Sequence, residues 1–365
     1  MNKDIHNVKI LIAPLDWGLG HATRCIPLIQ NLLTLGSDVT VAASGKIQAL
    51  LQNEFPQLNF LHLPGYQISY SKSKRTLPAK ILTQIPKILE IIRFENKWLE
   101  QVVHQYGFSA VISDNRYGLY TDAVPSILIT HQLYIKTNFL WLDNVLQRLN
   151  YRYINRFSEC WIPDYNGKMN IAGQLSHPEH MPVIPVKYIG ALSRFDKQNS
   201  KSEKYKWMVI LSGPEPQRTL FEKKIFETAQ KTDDDFLIVR GLPDEAENKL
   251  SLSNCTVFNH LNTADMLNAI DSSEFIISRC GYTTVMEMLS LAKKTVFVPT
   301  PGQTEQEYLA VRLMQQGWCF ACEQNDELLI QMEKAMRFKY QLPEFAASSL
   351  EEVVSDFIYN MLPKK

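Results

Sequence analysis

The sequence predicts an α/β protein made of two doubly wound, Rossmann-like domains facing a cleft. Three observations carry this. Short apolar runs alternate with helical patterns almost throughout, as in parallel sheets covered on both faces. The alternation pauses once, after Ile189, and then restarts. The chain has 365 residues, more than one typical core accommodates.

In the first half the strand-like runs are Val8–Ala13, Val39–Ala43, Phe60–Leu63, Ala110–Ser113 and Ser126–Ile129, with helices such as Ile26 to Leu35 between them. Lys197 to Lys204 is polar and reads as a linker. The second half repeats the theme with Met208–Leu211, Phe236–Val239, Thr256–Phe258, Phe275–Ser278 and Thr295–Val298. The expected division is a first domain over 1–196, a second over 205–345, and a C-terminal helix over 346–365 able to pack back on the first domain. Ligands of such sheets bind beyond the carboxyl ends of the strands, which favours a cleft between the halves.

Two segments depart from the alternation. Lys72, Lys74, Arg75, Lys80, Lys87 and Arg93 accompany Ile81, Ile85, Ile88, Leu89 and Ile92 at helical spacing. Phe139, Leu142, Leu146, Leu149 and Tyr153 form a second stripe, with Arg148, Arg152 and Arg156 nearby. Such faces either pack on the first sheet or lie on an anionic membrane surface. Pro86 argues for a kink or restart in the first of them.

Composition narrows the class. Hydrophobic residues make up 45% and charged residues 21%, ordinary for a globular protein. The formal net charge is zero, so nothing argues for nucleic acid as a partner. No apolar run approaches the ~20 residues of a membrane span, and Met1 to His6 do not read as a signal peptide. The six cysteines are scattered, as expected of buried thiols in the cytoplasm. Cys319-Phe320-Ala321-Cys322 has redox or metal spacing but lies in a strand-like run, with no second pair to complete a zinc site. His177-Pro178-Glu179-His180 reads as loop.

Chemistry concentrates at the strand ends. Ser278-Arg279-Cys280-Gly281-Tyr282-Thr283-Thr284-Val285-Met286-Glu287 takes a buried strand through a glycine into a helix. Free N–H groups and the dipole at such a helix start attract an oxyanion. Thr283 and Thr284 add hydroxyls, and Glu287, about one turn on, can accept from a sugar diol. Phosphate first and diol next fits a nucleotide-sugar; an ordinary strand–helix turn with a solvated Glu has the same sequence. After the first strand comes Asp16-Trp17-Gly18-Leu19-Gly20-His21, where His21 opens a helix and can take a proton from an attacking hydroxyl. The same loop has two glycines of a dinucleotide fingerprint, with Asp38 about where a ribose carboxylate belongs, although Thr23 stands at the third small position. Asp114-Asn115 ends another strand; Asp114 either orients His21 or is a turn residue. Ser212-Gly213-Pro214-Glu215-Pro216 is either a phosphate- or base-facing loop or a stiff turn. Pro299 to Ala310 brings Gln303, Glu305 and Gln306 to a helix start, to read sugar hydroxyls or simply to complement the dipole. His260, after Thr256–Phe258, could offer backbone groups to a base.

Taken together, these residues resemble the GT-B glycosyltransferases, especially family 28 and related UDP-sugar transferases, in order along nearly the whole chain. The resemblance is strongest over Ser278–Glu287 and Pro299–Ala310. It implies diphosphate contacts at Gly281, Thr283 and Thr284, ribose at Glu287, donor sugar at Gln306, and a base at His21 supported by Asp114. The chain departs from the family's peptidoglycan branch: Asp16 and Trp17 replace glycines, His131-Gln132 is followed by Leu133, and Leu309 stands where that branch has Asn.

The expected activity is inverting transfer of a sugar from a nucleoside diphosphate, UDP foremost, to a hydroxyl acceptor, lipid-linked acceptors included, without cofactor or essential metal. The expected catalytic residues are His21 and Asp114. The donor side comprises Ser212, Gly213, His260, Arg279, Gly281, Tyr282, Thr283, Thr284, Glu287, Gln303, Glu305 and Gln306. The acceptor side comprises Gly18, Gly20, Asn115, His131 and Gln132, with peripheral contact at the inner face of the plasma membrane left open. A UDP-sugar 2-epimerase, an NAD-dependent oxidoreductase and a non-catalytic nucleotide-sugar-binding subunit are the alternatives.

Overall fold

A computed structural model describes residues 8–66, 77–137, 140–197, 203–243 and 253–361, without side chains for 77–85 and 140–141. Met1–His6, Lys72, Lys74, Arg75, Phe139 and residues 198–202 of the linker lie outside the described residues, as do the side chains of Lys80, Ile81 and Ile85. The described residues divide into two compact units, the first over 8–66 and 77–192 with the C-terminal segment from Phe345, the second within Ser193–Glu344.

The first unit carries strands β1 (Lys9–Pro14), β2 (Asp38–Ala43), β3 (Asn59–His62), β4 (Ala110–Asp114), β5 (Ser126–Ile129), β6 (Glu159–Ile162) and β7 (Val186–Tyr188). All described pairings are parallel, in the order β3-β2-β1-β4-β5-β6-β7. Helices α1 (Leu19–Thr34), α2 (Gly45–Glu54), α3 (Leu77–Tyr106) and α4 (Leu140–Ile154) make the crossovers. Ile10, Leu11, Ile12 and Ala13 are all fully buried, because helices cover both faces and leave no polar alternation.

The second unit repeats this pattern. Its strands are β8 (Tyr205–Ile210), β9 (Phe236–Val239), β10 (Cys255–Phe258), β11 (Ser273–Ser278), β12 (Lys294–Phe297) and β13 (Phe320–Ala321), in the order β10-β9-β8-β11-β12-β13. Helices α5 (Gln217–Ala229), α6 (Thr263–Asp271), α7 (Tyr282–Ser290), α8 (Thr304–Gln315) and α9 (Leu328–Arg337) alternate with them. Trp207, Val209, Phe236, Ile238, Phe275 and Ile277 pack with Phe221 and Ile225 of α5 and Met332 of α9.

Three details differ from the sequence expectations. Helix α1 starts at Leu19, two residues before His21, the residue expected to open it; His21 sits in its first turn and Gly20 is helical. Helix α3 continues through Pro86 without a restart. Pro86 is exposed, so the carbonyl that loses its partner is on the solvent side. Strands β6 and β7 extend the first sheet before the alternation pauses.

The C-terminal helix α10 (Leu350–Met361) returns to the first unit. Leu350, Val354, Phe357 and Ile358 form its buried face, and Phe357 meets Trp161 edge-on at 5.3 Å. Just before it, Ser348 Oγ donates to Ile189 O at 2.7 Å and Ser349 Oγ to Tyr188 O at 2.6 Å. Gly190 permits this approach: its φ is 76°, and a Cβ there would lie 2.9 Å from Ser348 Cα. Gly190→Ala is therefore expected to destabilise the protein by about 1–3 kcal/mol, read as a lower urea midpoint with unchanged slope.

Candidate active site

In the first unit the chain leaves β1 toward β2 and β3, then returns to pair β4 with the other side of β1. This makes the β1–β4 edge the switch point of the sheet. Pro14 and Asp114 lie in register at its carboxyl end. The turn out of β1 places His21 there. Gly18 precedes α1 with φ 154° and accepts the His21 backbone N–H at 3.2 Å.

His21 Nδ1 lies 2.9 Å from Asp114 Oδ2. Asp114 is fully buried, whereas the His21 side chain is 18% exposed. An ionised carboxylate only accepts, so the shared proton sits on Nδ1 and Nε2 keeps its lone pair. Burial, with the Arg24 charge, holds the imidazole below its ordinary pKa of 6.5, outweighing the opposing pull of Asp114. Burial acts to raise the Asp114 carboxyl, but Arg24 and His21 bring it below the usual range. The pair is a neutral imidazole beside an ionised carboxylate, as proton abstraction requires.

Arg24 was not singled out by the sequence reading. Its Nε donates to Asp114 Oδ1 at 2.8 Å, and its Nη2 reaches the same oxygen. The signal was available: His21, Arg24 and Cys25 share one helix face, and a buried guanidinium on an otherwise apolar face needs an anion.

Other acceptor-side candidates gather at the same edge. Asn115 has φ 59°, and its buried Oδ1 lacks a hydrogen-bond partner among the described residues. His131 and Gln132 follow β5, the neighbour of β4, and His131 is buried. Asn150 Nδ2 fixes this turn by donating to Gln132 O at 2.9 Å and Leu133 O at 3.1 Å. A buried network braces the surrounding loops. Glu95 of α3 accepts Tyr66 Oη at 2.7 Å, Arg116 Nε at 2.7 Å and Gly118 N at 3.0 Å, while Arg116 also donates to Pro14 O and Pro64 O. Asp16 accepts the Tyr66 N–H at 3.0 Å, and Trp17 stands 41% exposed, edge-on to the Tyr66 ring.

The second unit has its own switch point between β8 and β11. The loop Ser212–Gly213 leaves β8 and the loop Arg279–Gly281 leaves β11, with Ile210 and Ser278 in register. Ser212 and Gly213 are exposed; Gly213 has φ 104° and is close to Thr300 Oγ1. Gly281 caps α7 with φ −74°, an ordinary value, and a Cβ built there would meet nothing within 4 Å. Neither the backbone nor the packing of the described residues requires glycine at this point. Tyr282 and Thr283 are buried, Thr284 partly so.

Glu287, 6% exposed, accepts Arg194 Nε on Oε1 at 2.9 Å. Burial raises its carboxyl above the usual value, and Arg194 opposes the rise. Arg194 is a second residue missed in the sequence, with no local pattern to reveal it. Arg279 turns inward: Nη1 donates to Val298 O and Pro299 O, Nη2 to Gln217 O and Gln324 Oε1, and the guanidinium lies 4.3 Å from the Phe221 ring centre. Burial brings its pKa down to about 10. Arg279 thus ties together the loops after β11 and β12 and the start of α5. Gln306 Oε1 accepts the Thr300 N–H at 2.8 Å, and Glu307 Oε1 the Gly302 N–H at 3.1 Å, clasping the loop ahead of α8. Gln303 caps α8 and Glu305 lies in its first turn. His260 is exposed beyond β10, an edge strand two positions from β8.

The dinucleotide alternative fails on topology. Asp38 begins β2, in register with Lys9, and so lies at the amino edge of the sheet, opposite the Gly18 loop. Cys319 and Cys322 are free and buried thiols, and among the described residues no group of three or more His, Cys, Asp or Glu side chains is placed to hold a metal. His177 stacks on Tyr188 at 4.6 Å within the first unit.

Two doubly wound units, each with polar loops at a switch point, are the architecture of GT-B glycosyltransferases. Residues 213–356 match the profile of the glycosyltransferase family 28 C-terminal domain. An uncharacterized glycosyltransferase of Methanosarcina acetivorans is 24% identical over 336 residues, 85% of this chain and 84% of that protein. The UDP-N-acetylglucosamine--N-acetylmuramyl-(pentapeptide) pyrophosphoryl-undecaprenol N-acetylglucosamine transferase of Sulfurihydrogenibium sp. is 25% identical over 172 residues, 44% of this chain and 48% of that one. The crystal structure of the glycotransferase of kitacinnamycin superposes with a TM-score of 0.64 at 14% identity, covering 97% of this chain and 99% of the other. The chain thus has the GT-B fold, its second unit is similar to the family 28 C-terminal domain, and over most of its length it is similar to glycosyltransferases.

Proposed function

We propose that the chain transfers a sugar from a UDP-sugar to a hydroxyl acceptor with inversion, the second unit taking the donor and the first the acceptor. The observation that carries this is the start of α7 at the switch point of the second sheet, with Thr283 and Thr284 in its first turn and Glu287 further along the same helix. An anion at that position meets backbone N–H groups and the helix dipole. The UDP-sugar in the Sulfurihydrogenibium relative's name supports uracil as the base.

In the proposed reaction His21 Nε2 accepts the proton of the acceptor hydroxyl. The oxygen attacks the anomeric carbon from the face opposite the diphosphate, and the bond from that carbon to the diphosphate oxygen breaks. The diphosphate leaves with the electron pair, its growing charge met by the start of α7. Asp114 stabilises the imidazolium that forms. This assigns no step to a metal. The acidic run Asp233-Asp234-Asp235 lies ahead of β9, at the amino edge of the sheet, away from the donor loops. Calorimetric titration with UDP, TDP and GDP tests the donor: UDP binding tightest supports the proposal, and no binding of any of them contradicts it.

The acceptor side includes peripheral membrane contact. Among the described residues no helix is long and apolar enough to cross a membrane. Between α3 and α4 lies a half-open cleft of about 420 Å³ whose lining includes Arg93, Lys97, Arg152 and Arg156 together with Leu89, Ile92 and Leu149. Cations together with apolar side chains suit an anionic amphiphile. Arg93→Glu with Arg152→Glu is expected to lower flotation with phosphatidylglycerol vesicles at least about tenfold, each lost basic contact being worth about 1 kcal/mol. Equal flotation would remove the membrane contact.

A further inference from the structure

Asp114 divides its two oxygens between two partners. Oδ2 faces His21 Nδ1 at 2.9 Å, and Oδ1 receives both Nε and Nη2 of Arg24. Arg24 is 2% exposed and Asp114 is fully buried, so water screens neither charge. We propose that Arg24 is a positioning residue for the base: it grips one oxygen of Asp114 and compensates its charge, so that the other oxygen fixes His21 with the proton on Nδ1 and the lone pair on Nε2. The inference rests on His21 acting as the base.

Two physical effects follow from the geometry. The fork anchors Oδ1, and with Oδ2 bound by His21 the orientation of the carboxylate is set from both ends. The guanidinium also offsets the negative charge beside the ring. A buried carboxylate without its cation would favour imidazolium, which has no lone pair to accept a proton, against the burial that disfavours it. The other groups facing the pair do not replace Arg24. Cys25, also on α1, has its Sγ 3.9 Å from Oδ2, and burial keeps that thiol protonated. His131, from the loop after β5, acts on His21 in the same direction as Arg24 but ranks below it.

The test is nitrogen-15 NMR of histidine-labelled full-length protein, with the His21 signal assigned by its loss in His21→Gln. In the unaltered protein His21 is expected to be neutral at pH 7 and protonated on Nδ1. In Arg24→Gln its titration midpoint is expected to rise by about one pH unit or more. A folded Arg24→Gln protein whose His21 titrates at the unaltered midpoint overturns the proposal. Should Arg24→Gln not fold, the unaltered protein decides: a cationic His21 at pH 7, or a neutral ring protonated on Nε2, overturns it, and the Nδ1-protonated neutral ring upholds it. Neither readout needs turnover. Loss of the base assignment itself would show separately, as full transfer activity in His21→Ala.

Discussion

Replacing His21 with alanine is expected to lower sugar transfer by about 10²–10⁴-fold, the range general-base catalysis contributes, while UDP affinity stays near that of the unaltered protein. His21 lies on the first unit, whereas the candidate donor groups Gly281, Thr283, Thr284 and Glu287 lie on the second. Its removal thus takes away the proton acceptor without touching the nucleotide. The pH dependence has a defined sign. The base works only as neutral imidazole, and burial together with Arg24 lowers its pKa from 6.5. The acid limb of kcat/KM should therefore lie below pH 6.5, and activity should be lost as pH falls through it. Transfer by His21→Ala at the original rate would remove His21 from the mechanism.

The second large effect is expected at Glu287. Glu287→Ala should weaken UDP binding by about 10–100-fold, the equivalent of the ~1.5–3 kcal/mol of a charged hydrogen bond. Glu287 is buried on α7, the helix whose amino end is the candidate diphosphate site, and one of its oxygens is held by Arg194. Arg194 opposes the burial that raises the pKa of this carboxyl. Since that pKa is raised, UDP binding should begin to weaken at a higher pH than an ordinary carboxylate would impose as acid is added. Removing Glu287 also leaves Arg194 buried without its partner, so a urea titration belongs beside the calorimetry. Glu287→Gln, which retains volume and one acceptor, should fall between the two. Unchanged UDP affinity in a folded Glu287→Ala protein would refute the ribose assignment.

The sheets were legible in the sequence for a physical reason. Strands such as Ile10–Ala13 and Phe236–Val239 are buried on both faces, so they appear as unbroken apolar runs between helical periodicities. β6 and β7 were not, because Glu159 opens one and Val186-Lys187-Tyr188 is only half-buried. The start of α1 was obscured by Gly18 and Gly20, which read as loop although helix begins between them. At the site, the identity of the strand-end residues pointed to chemistry, but their charge partners did not show. Arg24 lies 90 residues from Asp114 and Arg194 lies 93 residues from Glu287 in the chain. Only the crossover of each unit brings such pairs together. The inward turn of Arg279 was equally invisible, since its acceptors are backbone carbonyls of other elements.

The most direct measurement is a crystal structure of the protein grown with UDP. The diphosphate is expected within hydrogen-bond distance of the backbone N–H groups of Tyr282, Thr283 and Thr284, with the ribose hydroxyls on Glu287. Nucleotide bound at any other place, with the amino end of α7 left empty, would contradict the account.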